Sequence, residues 1–213
     1  MTSSLRKKEA LTAWLFITPY LIGFTLFHFL PVLLSAVLSL TDMRYISMID
    51  KTHLIGLGNY IEMSRDPEFW NAFRNSIVYS VCFVPFVMAA GLLLAVLVNQ
   101  KIHFRNGIRA MIFMPYVSNM VAIAIVWSIL LDPVDGIVNQ TLRALGVTNA
   151  PMWLMGSKTA LYSVVMIAVW REVGLQFVTY LAALQEVPTE LKEAAQIDGA
   201  GRFQQFIYVT LPL

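Results

Sequence analysis

Cysteine and charge are what this sequence has least of. Its single cysteine, Cys82, stands inside an apolar run, so neither a disulfide framework nor a thiolate metal site is available. A small packing role is expected of it. Charged residues make up 13% of the chain against 58% hydrophobic, with a mean hydropathy of +0.67, far from the balance of a soluble domain. The formal net charge of +2 gives no reason to expect nucleic acid as a partner. No Gly-x-x-x-x-Gly-Lys-Ser/Thr occurs, so the chain has no loop with which to cradle ATP phosphates. His-Glu-x-x-His and Gly-x-Ser-x-Gly are absent too, which removes the common metallohydrolase and serine-hydrolase routes. His53 and His103 lack a second metal ligand at suitable spacing, and His28, inside an apolar run, reads as a packed, hydrogen-bonded residue. An enzyme is not expected.

What the sequence does have is long apolar runs. A bilayer takes about 20 apolar residues to span, and four stretches qualify: 10–41, 75–100, 110–131 and 159–185, the last interrupted only by Arg171-Glu172. The first is too long for a cleaved signal peptide and lacks a small-residue cleavage site. Pro19 and Pro31 are expected to bend it or to place its first part at the interface. Arg6, Lys7 and Lys8 precede the first run, and Lys101, Arg105 and Arg109 separate the second from the third, whereas the other two connections mix both signs. The positive-inside rule puts residues 1–9 in the cytoplasm as a short tail, together with the 101–109 loop. After four spans the chain is inside again at residue 186.

There it carries Glu186-Val-Pro-Thr-Glu-Leu-Lys-Glu-Ala-Ala-Gln-Ile-Asp-Gly-Ala-Gly-Arg202. Pro188 suits a lead-in turn, Glu190 and Glu193 suit the positive end of a helix, and Gly199 suits the left-handed residue that stops one. The spacing predicts a short helix over 188–199, followed by the start of a fifth apolar run over 203–213. Glu193-Ala194-Ala195, three residues, Gly199, nine residues, Val209, one residue, Leu211-Pro212 resembles the EAA loop of binding-protein-dependent ABC importer permeases. The departure is Val209, where isoleucine is common.

The resemblance implies an all-α, polytopic transmembrane bundle with the ABC type I importer permease fold, occupying residues 10–213. It also implies that the 188–199 helix couples to a cytoplasmic ABC ATPase dimer. Glu193 would meet a basic residue of the ATPase groove, and Ala194, Ala195 and Gly199 would permit close approach. Asp198, Leu211 and Pro212 belong to the same coupling set. The other implied partners are a second permease, an extracytoplasmic solute-binding protein and the lipid bilayer of a bacterial or archaeal inner membrane. No cofactor is bound by the chain; ATP is used by the ATPase. Family members carry further helices beyond the EAA loop, so a chain ending at Leu211-Pro212-Leu213 is expected to be truncated.

Further pieces resemble the carbohydrate-uptake branch and its maltose-transporter-like first permease subunit: Thr18-Pro-Tyr-Leu-Ile-Gly-Phe24 with Pro31 and Ser39-Leu-Thr41, Gly56-Leu-Gly-Asn-Tyr60, and Asp66-Pro-Glu-Phe-Trp-Asn-Ala-Phe-Arg-Asn75. A sugar or oligosaccharide is the implied solute. Glycerol phosphate, an amino acid or a peptide stay open, as do a membrane-embedded enzyme and a non-transporting subunit.

Polar residues inside the runs are the pathway candidates. A charge in mid-bilayer costs several kcal/mol unless it faces water or a partner. Arg171 and Glu172 are adjacent, about 100° apart on a helix, so they are not expected to pair face to face; other helices or a hydrated passage should receive them. Gln176 follows on the face of Glu172, while Ser118 and Asn119 offer hydrogen bonds in the third run. Trp170 and Tyr180 supply aromatic faces for a sugar. The alternative is that these groups only fasten helices together. In the second external connection, Asp132 and Asp135 are too few for a calcium cage and suit a turn. The sequon at Asn139-Gln-Thr141 carries no weight.

Overall fold

The structure is a computed structural model that describes residues 2–43, 53–100 and 103–212. Lys101, Leu213 and the side chains of Arg6 and Lys7, all used above, lie outside the described residues. The chain divides into two compact units, Met1–Ala72 and Phe73–Leu213. Among the described residues both are helical, apart from one isolated bridge between Thr41 and Leu54.

In the first unit, α1 (Thr2–Phe24) runs through a widened turn at Thr25–Phe29 into α2 (Leu30–Leu38). Pro31 is the reason for the widening. A proline lacks its N–H, and its ring collides with the carbonyl four residues back. Here the Leu30 N–H reaches past that turn to the Thr25 carbonyl, which opens the helix to the π form. Pro19 lies inside α1 without interrupting it. Residues 8–38 make one span of 31 residues with no side chain buried. A helical stretch this long and apolar suits the hydrocarbon of a bilayer.

The Gly56-Leu-Gly-Asn-Tyr60 piece has a local job. Gly56 takes φ +59° and turns the chain into α3 (Gly58–Arg65). Asn59 Nδ2 then donates to the carbonyls of Ser39 (2.8 Å) and Thr41 (2.8 Å), while the Tyr60 and Ser39 hydroxyls share a hydrogen bond of 2.8 Å. The carbonyls left over at the end of α2 are thereby satisfied, as any helix end requires. Asp66 caps the next helix by accepting from the Glu68 N–H at 2.8 Å.

In the second unit, the core forms between α4 (Pro67–Asn99) and α8 (Ala160–Glu186), joined by α5 (Arg105–Val117). Ala95, Val98, Phe177, Leu181 and Leu184 are buried together, with Ile108 and Ile112 of α5 packed against them. Two glycines allow the helices to touch. A Cβ on Gly91 would stand 2.6 Å from Gln176 Cβ on α8, and one on Gly174 would stand 2.7 Å from the Ile112 carbonyl oxygen of α5. Backbone cannot yield as a side chain does. Gly174→Ala is therefore expected to cost about 1–3 kcal/mol of overpacking. The check is the thermal midpoint of the purified protein, with Gly23→Ala, where nothing lies within 4 Å, as the unchanged control.

The third apolar run is not one helix. α5 ends at Val117, Ser118 and Asn119 are extended, and α6 (Met120–Leu130) leaves at 96° to α5. Beyond it, α7 (Ile137–Ala144) and a short 3₁₀ turn at Trp153–Met155 connect to α8. Asn139 organises this connection from a 1% exposed position. Its Nδ2 donates to the carbonyls of Pro133 (3.1 Å) and Pro151 (3.0 Å), and its Oδ1 accepts from Trp153 Nε1 at 2.7 Å. Asp132 makes a turn, accepting from the N–H groups of Asp135 (2.8 Å) and Val134 (2.9 Å). Those two bonds hold its carboxyl below the ordinary range, Asp135 contributing most, because they favour the ionised form.

Candidate functional site

The segment after α8 is shaped by Pro188. A residue before proline is pushed out of the helical region, and Val187 accordingly sits at φ −65°, ψ 117°. α9 (Thr189–Ile197) therefore starts after a joint of Val187 and Pro188 alone. It ends as the sequence implied. Gly199 takes φ +85°, its N–H donates to the Gln196 carbonyl (3.1 Å), and the Ala200 N–H donates to the Ala195 carbonyl (2.9 Å). This is the Schellman pattern, which needs a left-handed residue at that place. No atom lies within 4 Å of where a Gly199 Cβ would be, so within this chain its requirement is conformational.

The face α9 presents is mostly polar, with Ile197 on it and the less exposed Leu191 at its edge. Glu190, Glu193, Ala194 and Ile197 are all exposed and stand at i, i+3, i+4 and i+7, one stripe of a helix. Ile197 is 86% exposed. Lys192 and Ala195 are half-buried on the opposite side, where Lys192 borders a small cleft with Asn99, Arg202 and Phe206. Glu193 and Ala194 are thus together on the free face, with Asp198 exposed just beyond. Ile197 and Glu190 complete that stripe without belonging to the sequence motif. Their signal was the helical spacing itself.

Leu211 and Pro212 stand elsewhere. α10 (Arg202–Gln205) leads into a second widened turn, Phe206–Thr210, where the Leu211 N–H donates to the Phe206 carbonyl at 2.8 Å. It precedes a proline, as at Leu30-Pro31, and the steric reason is the same. Leu211 lines an apolar groove of about 690 Å³ with Val84, Met88 and Leu92 of α4 and Tyr180 of α8.

The pathway candidates separate into three places. Arg171 and Glu172 form an ion pair with each other, contrary to the expectation drawn from their helical angle. A long, flexible arginine side chain folds back across that angle, and within a low-dielectric span the nearest carboxylate is the strongest partner. The guanidinium also lies over the Tyr116 ring, 5.8 Å from its centre, and the adjacent Trp170 meets Trp127 of α6 edge to face at 5.4 Å. Ser118 and Asn119 form the break. The Ser118 hydroxyl donates to the Met114 carbonyl (2.8 Å), and Asn119 Oδ1 caps α6 by accepting from the N–H groups of Val121 (2.8 Å) and Ala122 (3.3 Å). Gln176 lies at the crossing with Gly91. Around Arg171 and Glu172 the structure therefore gathers Tyr116 and Trp127, which have no local signal in the sequence, beside the expected Trp170.

The described helices are long and apolar enough for several membrane spans, and the short, capped α9 presents a free face beside them. Residues 69–213 match the family described as binding-protein-dependent transport system inner membrane component, and the chain belongs to that family. Two similar proteins align along the whole chain. The lactose transport system permease protein LacF of Rhizobium radiobacter is 34% identical over 213 residues, 99% of this chain and 70% of its own length. The trehalose/maltose transport system permease protein MalF of Thermococcus litoralis is 32% identical over 213 residues, 100% of this chain and 71% of its own. Among solved structures, a bacterial ABC transporter involved in the import of the acidic polysaccharide alginate shares the fold, with TM-score 0.77 at 22% identity, over 100% of this chain and 71% of that one. The chain is thus an ABC importer permease with the fold expected for it, and not an enzyme.

Proposed function

We propose that this chain forms part of the translocation pathway of an ATP-driven importer for a sugar or oligosaccharide, with α9 as its coupling helix. The observation that carries the reading is the free stripe Glu190, Glu193, Ala194 and Ile197, held by a rigid start at Pro188 and a defined stop at Gly199. A carboxylate beside a lone exposed isoleucine suits a basic, apolar-floored groove on an ATPase. The N-terminus and the 101–109 loop are cytoplasmic; Arg105 and Arg109 stand at the α9 end of α8, which supports placing the two on one side. A binding protein delivers the solute from outside, and a second permease completes the pathway. ATP binding draws the ATPase dimer together, moves α9, and rocks the spans between inward and outward states.

For the solute, the sugars in the names of LacF and MalF support the class. So does a site with aromatic faces at Tyr116, Trp127 and Trp170 around a compensated charge pair. Because Glu172 neutralises Arg171, an anionic solute is disfavoured. Arg171, Glu172 and Trp170 are the pathway residues; Ser118 and Asn119 shape its bend, and Gln176 borders it from the α4 side.

The test is co-purification from solubilised membranes with and without Glu193→Ala. Recovery of the ATPase and solute uptake are both expected to fall about tenfold or more, as when a charged contact is truncated at an interface, with membrane insertion unchanged. Undiminished solute-stimulated ATP hydrolysis in that variant would sink the coupling role.

A further inference from the structure

We propose that Gln185, Arg105 and Arg109 form a polar latch that makes α5 move with α8, so that a displacement of α9 reaches the break at Ser118-Asn119. The proposal rests on α9 being the coupling helix. Arginine has donors only, so the Gln185 amide must turn its oxygen toward both guanidinium groups. It then accepts from Arg105 Nη2 and Arg109 Nη2, each at 2.8 Å. Arg105 Nη2 also donates to Asn99 Oδ1 at 3.3 Å, which ties in the last residue of α4. The Nε atoms of both arginines are enclosed without a partner. Among the described residues, no carboxylate pairs with either of them. Among the described residues, one neutral oxygen therefore holds two cations at the base of α8, where the other side-chain anchor is the Asn99 amide on Arg105.

The location makes the latch mechanical. Gln185 is the penultimate residue of α8, and Thr189 already opens α9. From that point α5 is fastened to α8 along its whole length. After the latch comes Ile108 against the Leu181 and Leu184 cluster, then Ile112 against Gly174, and finally Tyr116 under Arg171. α5 ends at Val117, and at Ser118-Asn119 the chain bends by 96°. Elements packed this closely shift as bodies rather than deform. Without the latch, the loop end of α5 would lose the one polar tie that the described residues give it to the part of α8 that α9 pulls. Gln185, Arg105 and Arg109 are positioning residues; they touch neither solute nor nucleotide.

The experiment measures solute imported per ATP hydrolysed by the full transporter reconstituted in vesicles. Gln185→Leu, which keeps the bulk and removes the acceptor, is expected to lower that ratio about five- to tenfold, since it strands two donors that the amide had satisfied. ATPase recovery on purification should stay as before, a combination that a purely structural defect does not produce. Gln185→Glu keeps an acceptor for both arginines and should restore the ratio to near its original value. If the leucine variant does not assemble, Gln185→Asn, one methylene shorter, is expected to give a smaller loss of the same kind. A ratio unchanged in whichever of these two assembles overturns the latch. Glu193→Ala, run in parallel, separates the failures. If it uncouples and the Gln185 variants do not, only the latch falls; if it too leaves the ratio intact, the coupling-helix reading falls with it.

Discussion

Ile197→Asp is expected to abolish capture of the ATPase almost completely, with a loss of about 30-fold or more in apparent affinity. Ile197 is the one large apolar residue on the free stripe of α9 and is 86% exposed. An exposed apolar side chain at the tip of a docking element is the kind of residue that fills a partner pocket. Removing such an anchor costs about 2 kcal/mol or more, and a carboxylate put in its place adds an unpaired charge to the cost. The helix itself should survive, because its stop depends on Gly199 and its start on Pro188. Circular dichroism and membrane yield should therefore match the unmodified protein, while titration of solubilised permease with ATPase shows the loss. Ile197→Leu should bind nearly as well as the native chain. If aspartate at this position binds normally, the exposed stripe is not the docking face.

The second large effect is structural. Asn139→Leu is expected to destabilise the connection between α6 and α8 by about 3 kcal/mol or more. It leaves two carbonyls and one indole N–H unpaired in a dry place, at about 1–3 kcal/mol for each unmet group. Asn139→Asp should be as damaging despite its near-identical shape. A carboxylate accepts from Trp153 but repels the Pro133 and Pro151 carbonyls to which the amide donates. Local opening has a direct reporter. Arg143 donates to the carbonyls of Pro133 (2.7 Å) and Val134 (3.0 Å), and release of these bonds should expose it to trypsin. Cleavage after Arg143 should be much faster in both variants, and equal rates would show that the hydrogen-bond hub is dispensable. The sequon formed with Thr141 offers a further check, since an amide that is 1% exposed is no acceptor for a glycan while the connection stays folded.

Much of the molecule was legible in the sequence wherever the deciding interaction is local. Apolar run length marks where helix forms, because backbone in lipid has to be paired within its own segment, and three of the four runs fall on helices long enough to span. Pro188 and Gly199 bounded α9 because a missing N–H and a left-handed φ are properties of single residues. Asp132 was readable as a turn former for the same reason, its acceptor lying two and three residues from its donors. Even the proline of Leu211-Pro212, part of the recognised motif, leaves a local mark in the widened turn before it.

Contacts between residues far apart in the chain were not readable. Gly174 looks like any glycine in an apolar run until Ile112 is found against it. Asn139 looked like a chance sequon until Pro133, Pro151 and Trp153 closed around it. Angular spacing on a helix argued that Arg171 and Glu172 would diverge, and that held only for their Cβ directions, not for the reach of a flexible guanidinium in a low dielectric. The break at Ser118-Asn119 hid inside an uncharged run, since Asn119 caps a helix start with the same amide that made it look like a pathway group. The sequence by itself determined the class and the residues that start and stop α9, because one residue's backbone preference or one run's hydropathy suffices for each. Only the tertiary structure decided which face of α9 is free, where helices touch and what Gln185 holds, because each of those depends on which distant residues the packing brings together.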